Sequence, residues 1–246
     1  PKEFTDCDLE DVKKYIDYLI NDKKVASSTQ NQAINALKCY YENMLGWERF
    51  TANIERPRKE KKLPKLLSET EVLRMIRVTN NIKHKFIICT LYSSGIRIGE
   101  LLNLKKEDLF FEKNIIFVRG GKGKKDRYVP LAKNMVVGLK KYYQACQPVK
   151  FVFNGHAVGS PMSQRGMQYA IQEAVKKAEI LKRVHLHTLR HSYATHLVED
   201  GLDVYTIQHL LGHENIQSTL IYLHVAHKVE KIAHSPFDTL YPNLKS

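Results

Sequence analysis

Four separated stretches of this sequence carry polar residues of unusual type inside apolar, helix-forming surroundings, and their chemistry suits phosphoryl transfer. Breaking a phosphodiester needs a nucleophile, positive donors on the equatorial oxygens, and an acid for the departing oxygen. In Gly95-Ile96-Arg97-Ile98-Gly99-Glu100-Leu101, Arg97 offers a planar fork to a phosphate, although by itself the pattern reads as an ordinary i,i+3 ion pair with Glu100. In Gly120-Gly121-Lys122-Gly123-Lys124-Lys125-Asp126-Arg127, glycines permit close backbone approach and Lys122 suits a mobile proton donor. Alone this is a soluble basic turn, and it lacks the GxxxxGK[ST] spacing of a nucleotide-binding loop. From His185 to Leu197, helical spacing puts His187 and Arg190 on one face, where an imidazole can share a proton with a phenol and the arginine can hold a phosphate. A histidine-rich solvent face, or a metal site of His185, His187 and His191, competes with that reading; no carboxylate or cysteine completes a familiar ligand pattern. Finally, in Leu210-Leu211-Gly212-His213 the glycine ends a helix, holding His213 at its terminus, and Tyr222 falls nine positions later on the next helix. With 13 tyrosines in the chain, a lone one is ordinarily core or surface.

Arginine, hairpin lysine, HxLRH, LGH and tyrosine in this order resemble the tyrosine recombinase or phage integrase family, which includes Xer-like, integron and mobile-element integrases. The likeness runs from about Ser68 to the C-terminus, and the segment before it resembles the end of that family's helical core-binding domain. The resemblance implies that Arg97 and Arg190 grip the scissile phosphate while Tyr222 attacks it to give a 3′-phosphotyrosine. It implies Lys122 as general acid, His187 assisting proton removal from Tyr222, His213 hydrogen-bonding the phosphate, and Glu100 supporting from behind. His185, His191, His196 and His224 lie beside motif positions and are expected to take no catalytic part. Because the ester keeps the bond energy, no cofactor and no metal are expected. The implied partners are double-stranded DNA and further copies of the chain, as a dimer to tetramer spanning two sites. Val229, Ile232 and Phe237 in the tail would either dock on a neighbouring protomer or pack on their own domain. Integration, excision, inversion and resolution are not distinguished. Two other classes share features: a type IB topoisomerase shares the arginines, lysine and tyrosine, and a DNA-binding regulator would account for the charge and for the helix-turn-helix-like stretch Leu202 to Gly212.

Composition agrees with a polyanionic partner: Lys plus Arg outnumber Asp plus Glu by 39 to 26, a formal net charge of +13. With no long apolar run, signal peptide or lipidation motif, a cytoplasmic or nucleoid-associated protein is expected, without membrane contact. Cys7, Cys39, Cys89 and Cys146 lack metal-ligand spacing and read as reduced core thiols.

The elements that must hold these residues are mainly helices. Val12, Ile16, Leu19 and Ile20 mark one amphipathic helix, and Ala33, Ile34, Leu37, Tyr41, Met44 and Leu45 a second, with Ser27, Ser28 and Thr29 as its start signal. Two helices make a poor independent core, so this segment is expected either to pack on something else or to be the remainder of a larger helical domain whose first helices are absent. The run ERPRKEKKLPK from Glu55 to Lys65 reads as a basic linker, with Arg56, Arg58, Lys59, Lys61 and Lys62, joined by Lys124, as candidate phosphate contacts. Ser68 and Glu71 form a capping-box pattern that opens a new domain. Apolar spacing predicts further helices at Phe86–Leu91, Met135–Tyr142 and Met167–Val175, a hairpin between Asn114 and Leu131, and a short strand at Phe151 to Phe153. The expected fold is mainly α with a small antiparallel β-hairpin or sheet: a partial core-binding domain at 1–54, the linker at 55–66, and a catalytic domain with C-terminal tail at 67–246.

Overall fold

The computed structural model describes residues 4–48, 54, 56–57, 63–120, 126–157 and 159–226. The chain divides into two compact units, Pro1–Lys62 and Leu63–Ser246. In the first, α1 (Leu9–Asp17) opens on a reciprocal capping box between Asp8 and Asp11, and its turns widen into a π-helical stretch at Tyr18–Asp22. The second helix, α2 (Ser27–Lys38), likewise runs into a π-helical stretch at Cys39–Met44. Its serines do not cap it: Ala26 is the N-cap and makes no side-chain bond, while Asn31 Nδ2 reaches back to the Ser27 carbonyl. Val12, Ile16, Ile34, Tyr41 and Ile54 form a small core, with Trp47 against Tyr41. Arg56 donates to Asn35 Oδ1 at 3.1 Å; Arg58, Lys59, Lys61 and Lys62 lie outside the described residues.

In the second unit Leu67 is fully buried, and its N–H donates to Ser192 Oγ at 2.9 Å, which seats the entering chain. Ser68 and Glu71 make the expected capping box at the start of α3 (Glu69–Val78). Helix α4 (Ile82–Ser94) is apolar on most sides, with Ile87, Ile88 and Leu91 buried, as suits a helix surrounded by others. It packs against α6 (Lys133–Cys146), α7 (Gln164–Lys177) and α8 (Leu186–Glu199). The short α5 (Ile98–Leu102) follows α4, and α9 (Val204–Leu211) and α10 (Gln217–Leu220) follow α8.

The expected hairpin is present as β2 (Ile115–Val118) and β3 (Arg127–Pro130), and a further strand, β1 (Leu109–Phe110), extends it to an antiparallel sheet of order β1-β2-β3. Residues 151–153 form no strand. Val152 N–H bonds the Leu104 carbonyl on one side while the Phe153 carbonyl accepts from Met162 on the other, so no continuous ladder develops beyond the isolated bridges Lys105–Phe151 and Asn154–Pro161. Architecture and sequence agree on a mostly helical fold with a small antiparallel sheet. No disulfide joins the cysteines, but Cys39 and Cys146 are exposed near helix ends rather than in the core. Among the described residues no helix is long and apolar enough to cross a membrane.

Candidate active site

Two helix ends build the site. α4 stops at Gly95, whose φ of +60° is left-handed and whose N–H bonds the Leu91 carbonyl at 3.1 Å. α9 stops at Gly212, φ +62°, in a Schellman arrangement: His213 N–H bonds Gln208 O at 3.1 Å and Gly212 N–H bonds His209 O at 3.0 Å. Left unpaired, the last carbonyls of these helices are partial negative charges.

Arginines occupy them. Arg190, buried on α8, donates through Nη1 to Gly95 O and through Nη2 to Leu211 O, the latter at 2.7 Å. Arg97, the N-cap of α5, donates through Nη2 to Gly212 O at 2.6 Å and through Nη1 to Glu100 Oε1 at 3.0 Å. Arg127, on the core-facing side of β3, donates through Nε to Leu210 O at 2.9 Å and grips both Glu100 oxygens at 2.8 Å. Three guanidinium groups thus face the end of one helix, with one carboxylate among them. Both partners hold Glu100 at about 2 against the desolvation of its burial, so it is ionised at any working pH.

Tyr222 lies just after α10 rather than on a helix; its N–H bonds Thr219 O at 3.0 Å, and its ring is 1% exposed. Burial raises its hydroxyl pKa, while Arg190 and Arg97 pull it down. The hydroxyl meets His191 Nδ1 at 3.0 Å. His191, expected to take no catalytic part, is among the described residues the hydrogen-bond partner of the tyrosine hydroxyl. His196 instead meets Tyr92 Oη at 2.8 Å. His213 stacks on Tyr222, ring centroids 6.3 Å apart and planes 18° apart, with its Nδ1 2.8 Å from Thr219 Oγ1. Burial and the nearby cations lower the pKa of both His191 and His213 to about 4, so both are neutral near pH 7. His187 is exposed on the first turn of α8, its pKa lowered by partial burial and by Arg190 and Arg97.

Arg97, Glu100, Arg190, His213 and Tyr222 are therefore gathered in one place, with His187 at its edge. Lys122, Lys124 and the tail residues Val229, Ile232 and Phe237 lie outside the described residues. Reading the sequence missed Arg127 and set His191 aside. Alternation along β3 carries a signal for the first: Val129 faces the core, so Arg127 two positions earlier does too. No group of His, Cys, Asp and Glu that could hold a metal ion occurs among the described residues. The arrangement offers fixed positive charge, neutral imidazoles and a phenol, the donor set a pentacovalent phosphate needs.

Comparison with known proteins agrees. The model of the Phage integrase family matches residues 61–228, and that of the Phage integrase N-terminal SAM-like domain matches residues 1–49. The chain is 38% identical over 201 residues to a tyrosine recombinase XerA of Pyrococcus horikoshii, covering 80% of this chain and 70% of the relative. A crystal structure of XerA recombinase matches with a TM-score of 0.61 and 29% identity, covering 100% of this chain and 86% of the other. The fold is also shared, at 19% identity and a TM-score of 0.73, with XerH site-specific recombinase bound to palindromic difH substrate in a post-cleavage complex, over 98% of this chain and 73% of that one. With its motifs in order, its arginines converging on one helix end, and a family model spanning most of its length, the chain belongs to the phage integrase family and is a tyrosine-type site-specific recombinase that cleaves and rejoins DNA.

Proposed function

We propose that Tyr222 is the nucleophile and that the phosphate it attacks sits against Arg97 and Arg190. The observation that carries this reading is geometric: Arg97 and Arg190 converge on the end of α9, at Gly212 O and Leu211 O, and the next residue, His213, stacks on the Tyr222 ring. The phenolic oxygen bonds to phosphorus, the bond from phosphorus to the 5′ oxygen breaks, and a 3′-phosphotyrosine remains until the free 5′ hydroxyl of a strand reverses the step. Arg97 and Arg190 balance charge on the equatorial oxygens, and neutral His213 donates an N–H to one of them. Lys122 supplies the proton to the leaving oxygen. The tyrosine proton passes to a histidine of α8; His187 takes this part once Tyr222 exchanges its His191 bond for the phosphate. No cofactor is required, because the ester conserves the energy of the broken bond.

Domain roles follow the same reading: residues 1–54 and the basic linker 55–66, with Arg56, Arg58, Lys59, Lys61 and Lys62, hold the duplex, Lys124 adds a phosphate contact, and 67–246 perform the chemistry. Two to four copies assemble on two sites, joined through the C-terminal tail, in the cytoplasm or nucleoid.

A nicked DNA site that traps the covalent adduct tests the assignment. Tyr222→Phe is expected to bind DNA as the wild type does and form no adduct, while Tyr205→Phe, whose ring is 77% exposed on α9, forms it normally. An adduct that survives in Tyr222→Phe would overturn the reading.

A further inference from the structure

A buried, ionised carboxylate is stable only if its lone pairs are filled. Glu100, with a side chain 7% exposed, has about four such positions, and all are taken. Oε2 accepts the Arg97 backbone N–H at 2.7 Å and Arg127 Nη2 at 2.8 Å. Oε1 accepts Arg97 Nη1 at 3.0 Å and Arg127 Nη1 at 2.8 Å. The two arginines share this carboxylate unequally. Arg127 makes the two-pronged contact, adds the Leu210 carbonyl through Nε, and is 6% exposed at its side chain, so its fork is turned to Glu100 and the helix end rather than to solvent. Arg97 gives Glu100 one side-chain N–H, is 22% exposed, and keeps Nε and one N–H on each terminal nitrogen without a partner among the described residues.

We propose that Arg127 is a positioning residue: by occupying Glu100 from the sheet side, it prevents that carboxylate from closing on Arg97 and so keeps the Arg97 fork available to the scissile phosphate. Glu100 is fixed at the start of α5 by the Arg97 backbone and lies three residues from its side chain, the spacing at which ion pairs form. With Arg127 gone, the emptied lone pairs have Arg97 as their nearest cation. A two-pronged Arg97–Glu100 pair would then compete with phosphate for the same N–H groups. Gly212 is part of this device, because a Cβ there would stand 3.0 Å from Arg127 Nη1.

The inference rests on Arg97 as a phosphate ligand, and its test separates the two ideas. Adduct formation is followed at saturating nicked DNA in Arg127→Met, Glu100→Gln and the double variant, with DNA affinity and thermal midpoint recorded for each. Arg127→Met is expected to slow adduct formation about 100-fold, the scale of a misplaced catalytic group, with the DNA Kd within about threefold. Glu100→Gln added to Arg127→Met removes the charge that captures Arg97 and should restore at least tenfold of the loss. Because Glu100→Gln also relieves a carboxylate left unpaired, a merely structural Arg127 predicts that the rate tracks the thermal midpoint through the variants, whereas the proposal predicts loss and recovery of rate at a temperature well below every midpoint. A double variant as slow as Arg127→Met, or slower, overturns the proposal. If Arg127→Met does not fold, Arg127→Lys keeps the buried cation without the fork; its rate at saturating DNA should fall with Kd unchanged, should recover on adding Glu100→Gln, and wild-type speed would overturn the idea. Should Arg97→Lys form adduct as fast as the wild type, the phosphate-ligand reading itself fails, whatever the cycle shows.

Discussion

At the scale of single residues, the site joins permanent cations to imidazoles that stay uncharged, and this sets its response to acid. His191 and His213 titrate near 4 in the folded protein against 6.5 ordinarily, so the folded chain binds fewer protons than the unfolded one between those values. Their contribution to stability is complete above pH 6.5 and is lost as pH falls towards 4. Glu100, held near 2 rather than 4.5, keeps its contribution down to about 4.5. Between pH 6.5 and 4.5 the falling melting temperature is therefore assigned to histidines, His191 and His213 foremost, with His84 and His187 shifted in the same direction. Thermal melts of His191→Asn should show a flatter slope in that window than the wild type; an unchanged slope would refute the assignment. Arg97, Arg190, His213 and Tyr222 were legible only as an ordered set that resembles a family, since each alone reads as an ion pair, a helix face or one tyrosine among 13. His191 was not, since its contact with Tyr222 spans 31 residues of sequence and no local spacing announces it. Arg127 was hidden by its neighbours: GKGKKDR reads as a wet turn until the strand's alternation is followed to its first residue.

At the scale of elements, two left-handed glycines decide where α4 and α9 end, and each is also pressed against a side chain. A methyl group at Gly95 would overlap the Tyr193 ring, and one at Gly212 would crowd the Arg127 guanidinium. The backbone conformation alone makes an alanine cost about 1–2 kcal/mol at either position. Gly95→Ala should exceed that range in urea denaturation, because the ring is packed in the core around Leu211 and Tyr222 and cannot retreat. Gly212→Ala should stay nearer to it, yet slow adduct formation more for each unit of lost stability. The reverse ordering would show that the clash at Gly95 relaxes. Helices with a wide apolar face, such as α7, and the capped start of α3 were readable from spacing and cap chemistry. The short β1, the π-helical ends of α1 and α2, and the divided bonding of residues 151–153 were not, because tertiary partners rather than local pattern determine them.

At the scale of the whole molecule, a formal charge of +13 favours a polyanionic partner. DNA affinity is expected to fall linearly in log–log form with salt, by about 0.9 for each phosphate neutralised. Replacing Lys61 and Lys62 together by alanine should flatten that slope by roughly 1 to 2 if the linker follows the backbone. Titration by fluorescence anisotropy at several salt concentrations decides it; an unaltered slope would leave the linker a solvated tether. Charge balance and the motif order were visible from the start, whereas the convergence of residues from α5, α8, β3 and the turn after α10 depends on long-range packing that no window of sequence contains.

The carbonyls of Leu210, Leu211 and Gly212 are taken by Arg127, Arg190 and Arg97 respectively. Inserting one residue into the preceding helix would turn these carbonyls through about 100° and unseat every one of the cations at once. The length of that segment is consequently as constrained as the identity of the tyrosine beyond it, even though none of its own side chains enters the reaction.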